Sequence, residues 1–358
     1  MGKNKSGIKS KIFRKIHYYF DMNLKDKTSP WINNFLYPAY RHRKHIPKTE
    51  DLNSLYITQI PNDGAGIGHQ MSNILGGIHI ARTLGMKYAY PGLKGKESWE
   101  SFLGVNQNSI SVQELKKQGY KIKMLPCFNT DILSDNDVLT DNNDGIKYSQ
   151  SKNETLEIIK KIIKSYAGQK IIFSVYLDQS YRNQYEEIEY IKSRFESAEA
   201  READKLIFDK DQINIAVHIR RGDIVSGQTT GQKTLTKRWL DMDYYENVVS
   251  RLTEQIKSKY PEKNYRIYLF SEGKADEYRS FEKYGEVTFC FDMSAMDSFL
   301  HMTRADYLVL SKSSFSYVPA LLSDGVRICP TGFWHGYPND KKWIVVNETI
   351  DKTFDLNI

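Results

Sequence analysis

Apolar and polar residues follow one another along the second half of the chain in a pattern that predicts strands separated by helices. Residues 213–219 form a nearly continuous apolar run, which is typical of a strand buried on both faces of a parallel sheet. The pattern beyond it predicts helices over residues 244–260, 275–284, 294–303 and 317–322, with strands over residues 266–271, 287–291 and 307–310 between them. This alternation predicts a doubly wound α/β domain with right-handed crossovers.

The first half carries a second α/β pattern. Residues 55–60 alternate like a strand and meet a glycine-dense turn at residues 64–68, after which a helix over 71–84 and a strand over 87–90 are expected. The pattern also predicts a surface loop over 128–152 and helices over 155–166 and 196–205. We place a domain boundary at the last of these helices. The predicted organisation is therefore an N-terminal arm over 1–49, an α/β domain over 50–205 and a Rossmann-like domain over 206–358.

Composition supports a folded protein of two domains. A chain of 358 residues, of which 40% are apolar and 13% aromatic, exceeds what one hydrophobic core usually fills. Cys127, Cys290 and Cys329 are odd in number and widely spaced, which favours neither a disulfide framework nor a zinc site. We therefore expect a reducing, cytoplasmic setting.

The positive charge of the chain is concentrated in its N-terminal arm. Residues 1–49 hold 12 basic and 2 acidic residues, whereas residues 50–358 hold 39 basic and 42 acidic residues. The body is thus not basic, which argues against a broad nucleic-acid-binding surface. Apolar residues recur at helical spacing over residues 1–20 with lysines between them, as in a helix that lies on the inner, anionic face of a membrane. A solvated basic tail, or a helix packed on its own domain, fits the same pattern.

The segment His218-Ile219-Arg220-Arg221-Gly222-Asp223 follows the apolar strand directly. Ligands of open α/β sheets bind beyond the carboxyl ends of the strands, and two guanidinium groups placed there favour an anion such as a diphosphate. Asp223 could orient the arginines. The alternative is an ion pair between Asp223 and one of the arginines, with no ligand.

Two other segments offer groups suited to an anion. The glycines at positions 64, 66 and 68 are spaced GxGxG, so the dinucleotide fingerprint is not met, but they allow backbone N–H groups to approach a phosphate. Residues 311–316, Ser-Lys-Ser-Ser-Phe-Ser, offer hydroxyls and free amides at the start of a helix. A tight turn and a simple helix cap are the alternatives without a ligand.

One short motif has the spelling of a metal site. Asp241-Met242-Asp243 reads Asp-x-Asp, but Asp243 and Glu246 also have the spacing of a capping box, which we favour. We therefore predict no bound metal and no cofactor.

Taken together, these motifs resemble the fucosyltransferase superfamily that acts through α1,2-, α1,6- and protein-O-linkages. Residues 218–223 resemble its HxRRxD signature, and residues 66–71 its G-x-G-N-Q-x segment, with His69 in place of Asn. Residues 310–316 are similar to the S-x-S-S-F-S element of the α1,2 branch, which is the closest branch, and residues 243–245 to its Tyr-Tyr helix start. The similarity extends in the right order from about residue 60 to 325, and residues 95–205 lie outside the matched motifs.

The resemblance implies a two-domain GT-B-like fold and an inverting, metal-independent transfer of fucose from GDP-fucose to a glycan. The basic arm adds the hypothesis that the acceptor is a lipid-linked glycan near a bilayer. Arg220 would neutralise the departing β-phosphate, Arg221 would support it, and Asp223 would orient both. The implied donor-binding residues also include Gly66, Gly68, His69, His218, Asp297, Ser313, Ser314 and Phe315, with Asp297 at the base or ribose.

Two departures from the superfamily leave its branch open. Residues 224–235 contain no carboxylate to serve as a base, which leaves Asp223, Asp63 and carboxylates of the first domain as candidates. Tyr317-Val318 stands where the α1,2 branch usually has two tryptophans. A transferase that uses another nucleotide sugar, or a non-catalytic protein that binds a glycan or a nucleotide, remains an alternative.

Overall fold

The structure is a computed structural model that describes residue 34, residues 37–62, 64–126, 152–175, 183–225 and 236–349, and residues 355, 356 and 358. The predictions for residues 1–20, for most of the loop over 128–152 and for Asp63 and Cys127 lie outside these residues. No helix in the described ranges combines the length and the apolar character needed to cross a membrane.

Four strands of the first half form one parallel sheet. They are β1 (Leu55–Gln59), β2 (Lys87–Tyr88), β3 (Lys121–Met124) and β4 (Ile171–Val175), in the spatial order β2-β1-β4-β3. The helices of this half are α1 (Pro38–His42), α2 (Ile67–Thr83), α3 (Ser98–Leu103), α4 (Val112–Lys117), α5 (Lys152–Lys164) and α6 (Ile188–Glu196), with 3₁₀ turns at Asn183–Glu187 and Glu199–Ala203.

The second half forms a six-stranded parallel sheet. Its strands are β5 (Ile213–His218), β6 (Tyr265–Phe270), β7 (Glu286–Phe289), β8 (Tyr307–Val309), β9 (Val326–Pro330) and β10 (Trp343–Val346), in the order β10-β9-β8-β5-β6-β7. The helices are α7 (Met242–Lys259), α8 (Ala295–Arg304) and α9 (Ser314–Leu322), with a 3₁₀ helix at Ala275–Lys283. All six residues of β5 are buried, as the apolar run predicts. The predicted fold class, α/β with a Rossmann-like C-terminal sheet, is confirmed.

Two predicted helices differ in the structure. The α-helix expected over 196–205 is wrong, because α6 ends at Glu196 and only a 3₁₀ turn follows, in which no residue is buried. Without burial, packing does not favour a longer helix there. Residues 275–283 are 3₁₀ rather than α-helical, and their buried residues Tyr278 and Phe281 are three positions apart, which suits three residues per turn.

Helices α2 and α9 begin earlier than expected. Helix α2 begins at Ile67 with Gly66 as its N-cap, so Gly68 lies in the first helical turn and not in the preceding turn. Helix α9 begins at Ser314, because the Ser313 side chain accepts a hydrogen bond from the Phe315 amide.

Helix α7 corrects the predicted capping box. It begins at Met242 with Asp241 as its N-cap, so the box expected at Asp243 and Glu246 is wrong. Glu246 instead accepts a hydrogen bond from Lys283 Nζ at 2.6 Å.

One hydrophobic core joins the two sheets. Phe299 of α8 makes ring contacts with Trp99 and Phe102 of α3 at centroid distances of 5.6 and 5.7 Å, and with Phe195 of α6 at 6.2 Å. The same cluster continues through buried residues of α2 and α9. The two halves are therefore packed as one body, and aromatic pairs of this kind stabilise beyond the area that they bury.

Helices α2 and α9 approach most closely at Gly68. A Cβ atom at this position would lie 2.4 Å from both the carbonyl carbon and the carbonyl oxygen of Ser314. Only glycine therefore fits here, and because it has no side chain the backbones of α2 and α9 can come this close together.

This contact predicts that Gly68→Ala destabilises the protein more than Gly66→Ala, which replaces only an N-cap glycine. The new methyl group at residue 68 would press on a backbone that cannot rotate away, at a cost of about 1–3 kcal/mol. A Cβ at Gly66 meets no atom within 4 Å, and Gly66 has an ordinary φ of −63°. Urea unfolding of both variants measures the difference, and equal midpoints would contradict the close contact.

Candidate functional site

The candidate site lies at β5 of the second sheet, where the order in which the chain adds strands reverses. From β5 the chain continues to β6 on one side and later returns to β8 on the other side of β5. The loops after β5 and β8 therefore diverge, and ligands of doubly wound sheets bind in the crevice that this leaves. A cleft of about 490 Å³ occupies this position and is bounded across from the sheet by the start of α2.

The structure brings nearly all of the predicted site residues to this cleft. Those that line it are Gly66, Gly68, His69, His218, Arg220, Arg221, Asp223, Ser313, Ser314 and Phe315. Three segments that are far apart in the sequence thus meet at one place.

Arg220 is held between the loops that follow β5 and β8. Its Nη2 donates to Asp223 Oδ1 at 2.6 Å and its Nη1 donates to Ser313 Oγ at 3.3 Å. The ion pair considered as an alternative does form, with Arg220 26% and Asp223 57% exposed. The Nε atom of Arg220 is buried and has no hydrogen-bond partner within the described part of the chain. A buried donor without an acceptor favours a ligand oxygen in the cleft.

Arg221 is bonded mainly to protein. Its Nη1 donates to the carbonyl oxygens of Arg220 at 2.9 Å and of Leu240 at 3.3 Å. Its guanidinium lies 4.1 Å from the ring centroid of Trp239, a distance at which cation–π attraction is effective. Arg221 therefore shapes the loop, and the two arginines do not form a symmetric clamp in this structure.

His218 is a buried, neutral imidazole at the end of β5. Its Nδ1 is 2.7 Å from Ser311 Oγ, and only 7% of the residue is exposed. Burial, with a smaller contribution from the nearby Arg220 charge, lowers the pKa of His218 to about 3. The ring therefore adds no charge to the cleft at neutral pH and fixes the loops after β5 and β8 to each other.

Two helix N-termini meet at the cleft, one from each half of the chain. Gly66 caps α2, and Ser313 caps α9 through the Phe315 amide. The N-terminal N–H groups and the helix dipole favour an anion at each of these ends. In the first turn of α2, His69 Nε2 lies 3.1 Å from Asn62 Nδ2.

Sequence reasoning missed a third arginine. Arg238 lines the cleft, and its guanidinium lies 5.1 Å from the ring centroid of Trp334. The indole N–H of Trp334 donates to His335 Nε2 at 3.1 Å, and the same Nε2 is 3.1 Å from Ser314 Oγ. Burial, and then the charge of Arg220, lower the pKa of Arg238, which nevertheless stays protonated as arginine does in proteins. The only sequence signal was a basic pair beside a tryptophan, Lys237-Arg238-Trp239.

Residues at the ends of β6 and β7 were also missed. Glu272 lines the cleft and lies against Gly222, whose φ is +61° and where a Cβ would meet the Glu272 carboxylate at 1.8 Å. Beside it the lining is largely apolar, with Phe270, Cys290, Phe291, Met293 and Ala295. The available signal was that both segments follow predicted strands, as the arginine segment does.

Asp297 is not among the residues that line the cleft. Its Oδ2 accepts a hydrogen bond from Ser294 Oγ at 2.6 Å and its amide donates to the same oxygen at 3.1 Å, so it lies in the cap of α8. Its neighbours Ala295 and Ser298 do reach the cleft.

The Asp-x-Asp segment lies away from the cleft. Neither Asp241 nor Asp243 lines it, and Asp241 accepts a hydrogen bond from the Trp239 indole at 2.8 Å. Over the described ranges, no group of three or more His, Cys, Asp or Glu residues is arranged to hold a metal ion.

The depressed pKa of His218 predicts a loss of stability in acid. In the unfolded chain a histidine binds a proton near pH 6.5, whereas the folded protein accepts it only near pH 3. Protons therefore favour unfolding across this window, and the free energy of unfolding should fall by about 2 kcal/mol between pH 7.5 and pH 5 from this group alone. His218→Asn, which retains a polar atom near Nδ1, should show a smaller fall in urea unfolding at the two pH values. An unchanged pH dependence would show that His218 titrates normally.

Comparison with known proteins adds a family to this geometry. The family model described as glycosyl transferase family 11 matches residues 147–335, just over half of the chain. A search of curated proteins finds no match.

Similar solved structures include two of POFUT1 and one of a heptosyltransferase. The apo form of POFUT1 is 14% identical, with 78% of this chain and 97% of that chain covered and a TM-score of 0.42. POFUT1 in complex with GDP-fucose is 14% identical, with 84% and 100% covered and a TM-score of 0.43. The E. coli heptosyltransferase WaaC with ADP is 12% identical, with 82% and 92% covered and a TM-score of 0.37. The family match over more than half of its length shows that this chain is a glycosyltransferase and belongs to glycosyl transferase family 11.

Proposed function

We propose that this glycosyltransferase moves fucose from GDP-fucose to a hydroxyl group of a glycan, with inversion at the sugar carbon and without a metal ion. The proposal rests on Arg220, which lines the cleft between the loops after β5 and β8. The Nε atom of Arg220 is buried and lacks an acceptor among the described residues. The motif resemblance of residues 218–223 supports the choice of donor.

Positive charge in the cleft supports transfer without a metal. Arg220, Arg221 and Arg238 line the cleft together with the N-termini of α2 and α9. Charge builds up on the leaving diphosphate as the bond to the sugar breaks, and groups already aimed at that charge stabilise the transition state most. In this proposal Arg220 binds the β-phosphate, while Ser313 and Asp223 hold its guanidinium in place.

The apolar part of the cleft suits the nucleoside. Phe270, Cys290, Phe291 and Met293 line the end near β6 and β7, next to the cationic end. A flat purine fits an apolar slot, and the diphosphate would then extend toward Arg220. In this arrangement Ala295 and Ser298, rather than Asp297, contact the nucleobase.

We assign the general base to Glu272. The acceptor hydroxyl must lose a proton as it attacks, and a base has to lie within hydrogen-bond reach of it. Asp223 and Glu272 are the described carboxylates that line the cleft. Asp223 is engaged with Arg220 at 2.6 Å, which leaves Glu272 to accept the proton in this proposal.

The two halves then have separate tasks. We assign residues 206–358 to the donor and residues 50–205 to the acceptor, with Gly66, Gly68 and His69 reaching the donor from the first half. The Ser313-Ser314-Phe315 cap supports the α1,2 branch. The basic arm over residues 1–49 supports a lipid-linked acceptor and contact with the cytoplasmic face of a membrane.

Nucleotide binding tests the donor. We expect GDP to raise the melting temperature more than UDP, ADP or CMP, because a ligand stabilises the fold only in proportion to its preference for the native state. We also expect slow release of GDP from GDP-fucose in the absence of acceptor, at the same rate with and without EDTA. A larger shift with UDP would contradict the proposed donor, and binding without release would indicate a non-catalytic protein.

Replacement of Arg220 tests the mechanism. Arg220→Ala should lower turnover by about 100-fold or more, since it removes the charge that meets the leaving group. Arg279→Ala is the matched control, because Arg279 is 62% exposed and its ion pairs among the described residues are with carboxylates of its own 3₁₀ helix. Turnover is measured as GDP release, with circular dichroism as the check on folding. Wild-type turnover in folded Arg220→Ala would remove this residue from the mechanism.

A further inference from the structure

The amino edge of the first sheet carries a concentration of lysines. Lys121 begins β3 and Lys170 directly precedes β4, and the Lys121 amide donates to the Lys170 carbonyl at 3.0 Å. Lys170 Nζ in turn donates to the carbonyl of Gln118 at 3.1 Å. In a parallel sheet the amino ends of all strands share one edge, so these lysines lie opposite the edge that faces the cleft.

Two helices bring further lysines to the same edge. Lys116 and Lys117 close α4, and Lys161 and Lys164 lie in the last turn of α5. Helices between parallel strands run antiparallel to the sheet, so their C-termini arrive at its amino edge. Complementing the helix dipole explains these four lysines. It does not explain the others.

The end of α1 and the segment after it contact this edge. His42 Nδ1 is 3.0 Å from Ser165 Oγ, and its ring stacks on Tyr166 at 3.8 Å. The Lys123 charge contributes to the lowered pKa of His42, after burial and His45. Further along, the Gly168 amide donates to the Asp51 carbonyl at 2.8 Å. These contacts place residues 44–51 beside the ends of β3 and α5.

We call residues 44–51, 116–123 and 161–170 together the basic face. They contain nine lysines and, as their only carboxylates, Glu50 and Asp51. The lysines are Lys44, Lys48, Lys116, Lys117, Lys121, Lys123, Lys161, Lys164 and Lys170. Residues 50–358 as a whole have more acidic than basic residues, so this density of charge is local.

An apolar side chain projects from the same face. Ile46, between Lys44 and Lys48, is 88% exposed, and Ile122 of β3 is 41% exposed. Lysines around an exposed aliphatic group combine attraction to anionic headgroups with insertion into the boundary between headgroups and acyl chains. A nucleic acid would be attracted by the lysines but would offer no apolar environment for Ile46.

We propose that the basic face binds a membrane surface rich in anionic lipids, with Ile46 as its inserting residue. Residues 44–51 of the face are the end of the basic arm over residues 1–49, so arm and face would meet the same surface. Because the face lies at the amino edge of the sheet, docking leaves the cleft at the carboxyl edge open. The proposal concerns lipid binding and does not depend on the donor sugar.

Charge reversal in the full-length chain tests this proposal. The triple variant Lys44→Glu, Lys121→Glu, Lys164→Glu changes exposed residues of the face, and Lys205→Glu, Lys210→Glu, Lys341→Glu makes the same change in net charge on exposed residues elsewhere. A lysine near an anionic bilayer contributes about 5-fold in affinity, so the first variant should bind at least about 100-fold more weakly to vesicles of phosphatidylcholine and phosphatidylserine. The control triple should bind like the wild type. Cosedimentation measures both, and circular dichroism shows that both are folded.

Ile46→Ser separates insertion from charge. It should weaken binding to the same vesicles while leaving the dependence on salt concentration unchanged, since no charge is altered. Equal binding by the two lysine triples would overturn the proposal. So would binding of the wild type to duplex DNA without binding to the vesicles.

Discussion

The backbone contact between helices α2 and α9 at Gly68 is the constraint on which the site depends. With no Cβ at this position, the first turn of α2 lies against the Ser314 carbonyl, and the N-termini of both helices reach one cleft. Two partial positive charges from opposite halves of the chain then face the same volume. The aromatic cluster around Phe299 holds the halves in this relation, because it is shared between α3, α6 and α8.

The three arginines of the cleft have different surroundings, and these surroundings separate their roles. Arg221 is bonded to backbone carbonyls and stacked on Trp239, so it stabilises the loop. Arg238 rests over Trp334, whose indole N–H binds His335, and that histidine in turn contacts Ser314. Arg220 alone of the three has a buried N–H without an acceptor in the described structure. Fixed cations and a neutral His218 are the arrangement that the proposed diphosphate site requires, because groups already in place need little rearrangement.

The charge of the protein is divided between two opposite edges of parallel sheets. At the carboxyl edge of the second sheet it converges in a concave cleft, where it suits a small anion. At the amino edge of the first sheet it is spread over exposed residues around Ile46, where it suits an extended anionic surface. The two arrangements follow from the same rule, namely that a parallel sheet gathers all strand ends of one kind at one edge.

The sequence by itself determined the fold class, because the periods of apolar residues distinguish strands from helices. It also identified the segments around Arg220, Gly68 and Ser313, because glycines, arginines and serines at strand ends have local chemical meaning. It could not decide which of these groups meet. Arg238 and Glu272 carry only weak local signals, and the capping of α7 by Asp241 rather than Asp243 depends on contacts made by Trp239 and Glu246. The helix expected over 196–205 is wrong for a related reason, since no residue of the 3₁₀ turn over 199–203 is buried. Proximity between distant segments is set by packing, and only the tertiary structure could therefore distinguish Arg220, whose buried Nε has no acceptor in the described structure, from Arg221, which holds the loop.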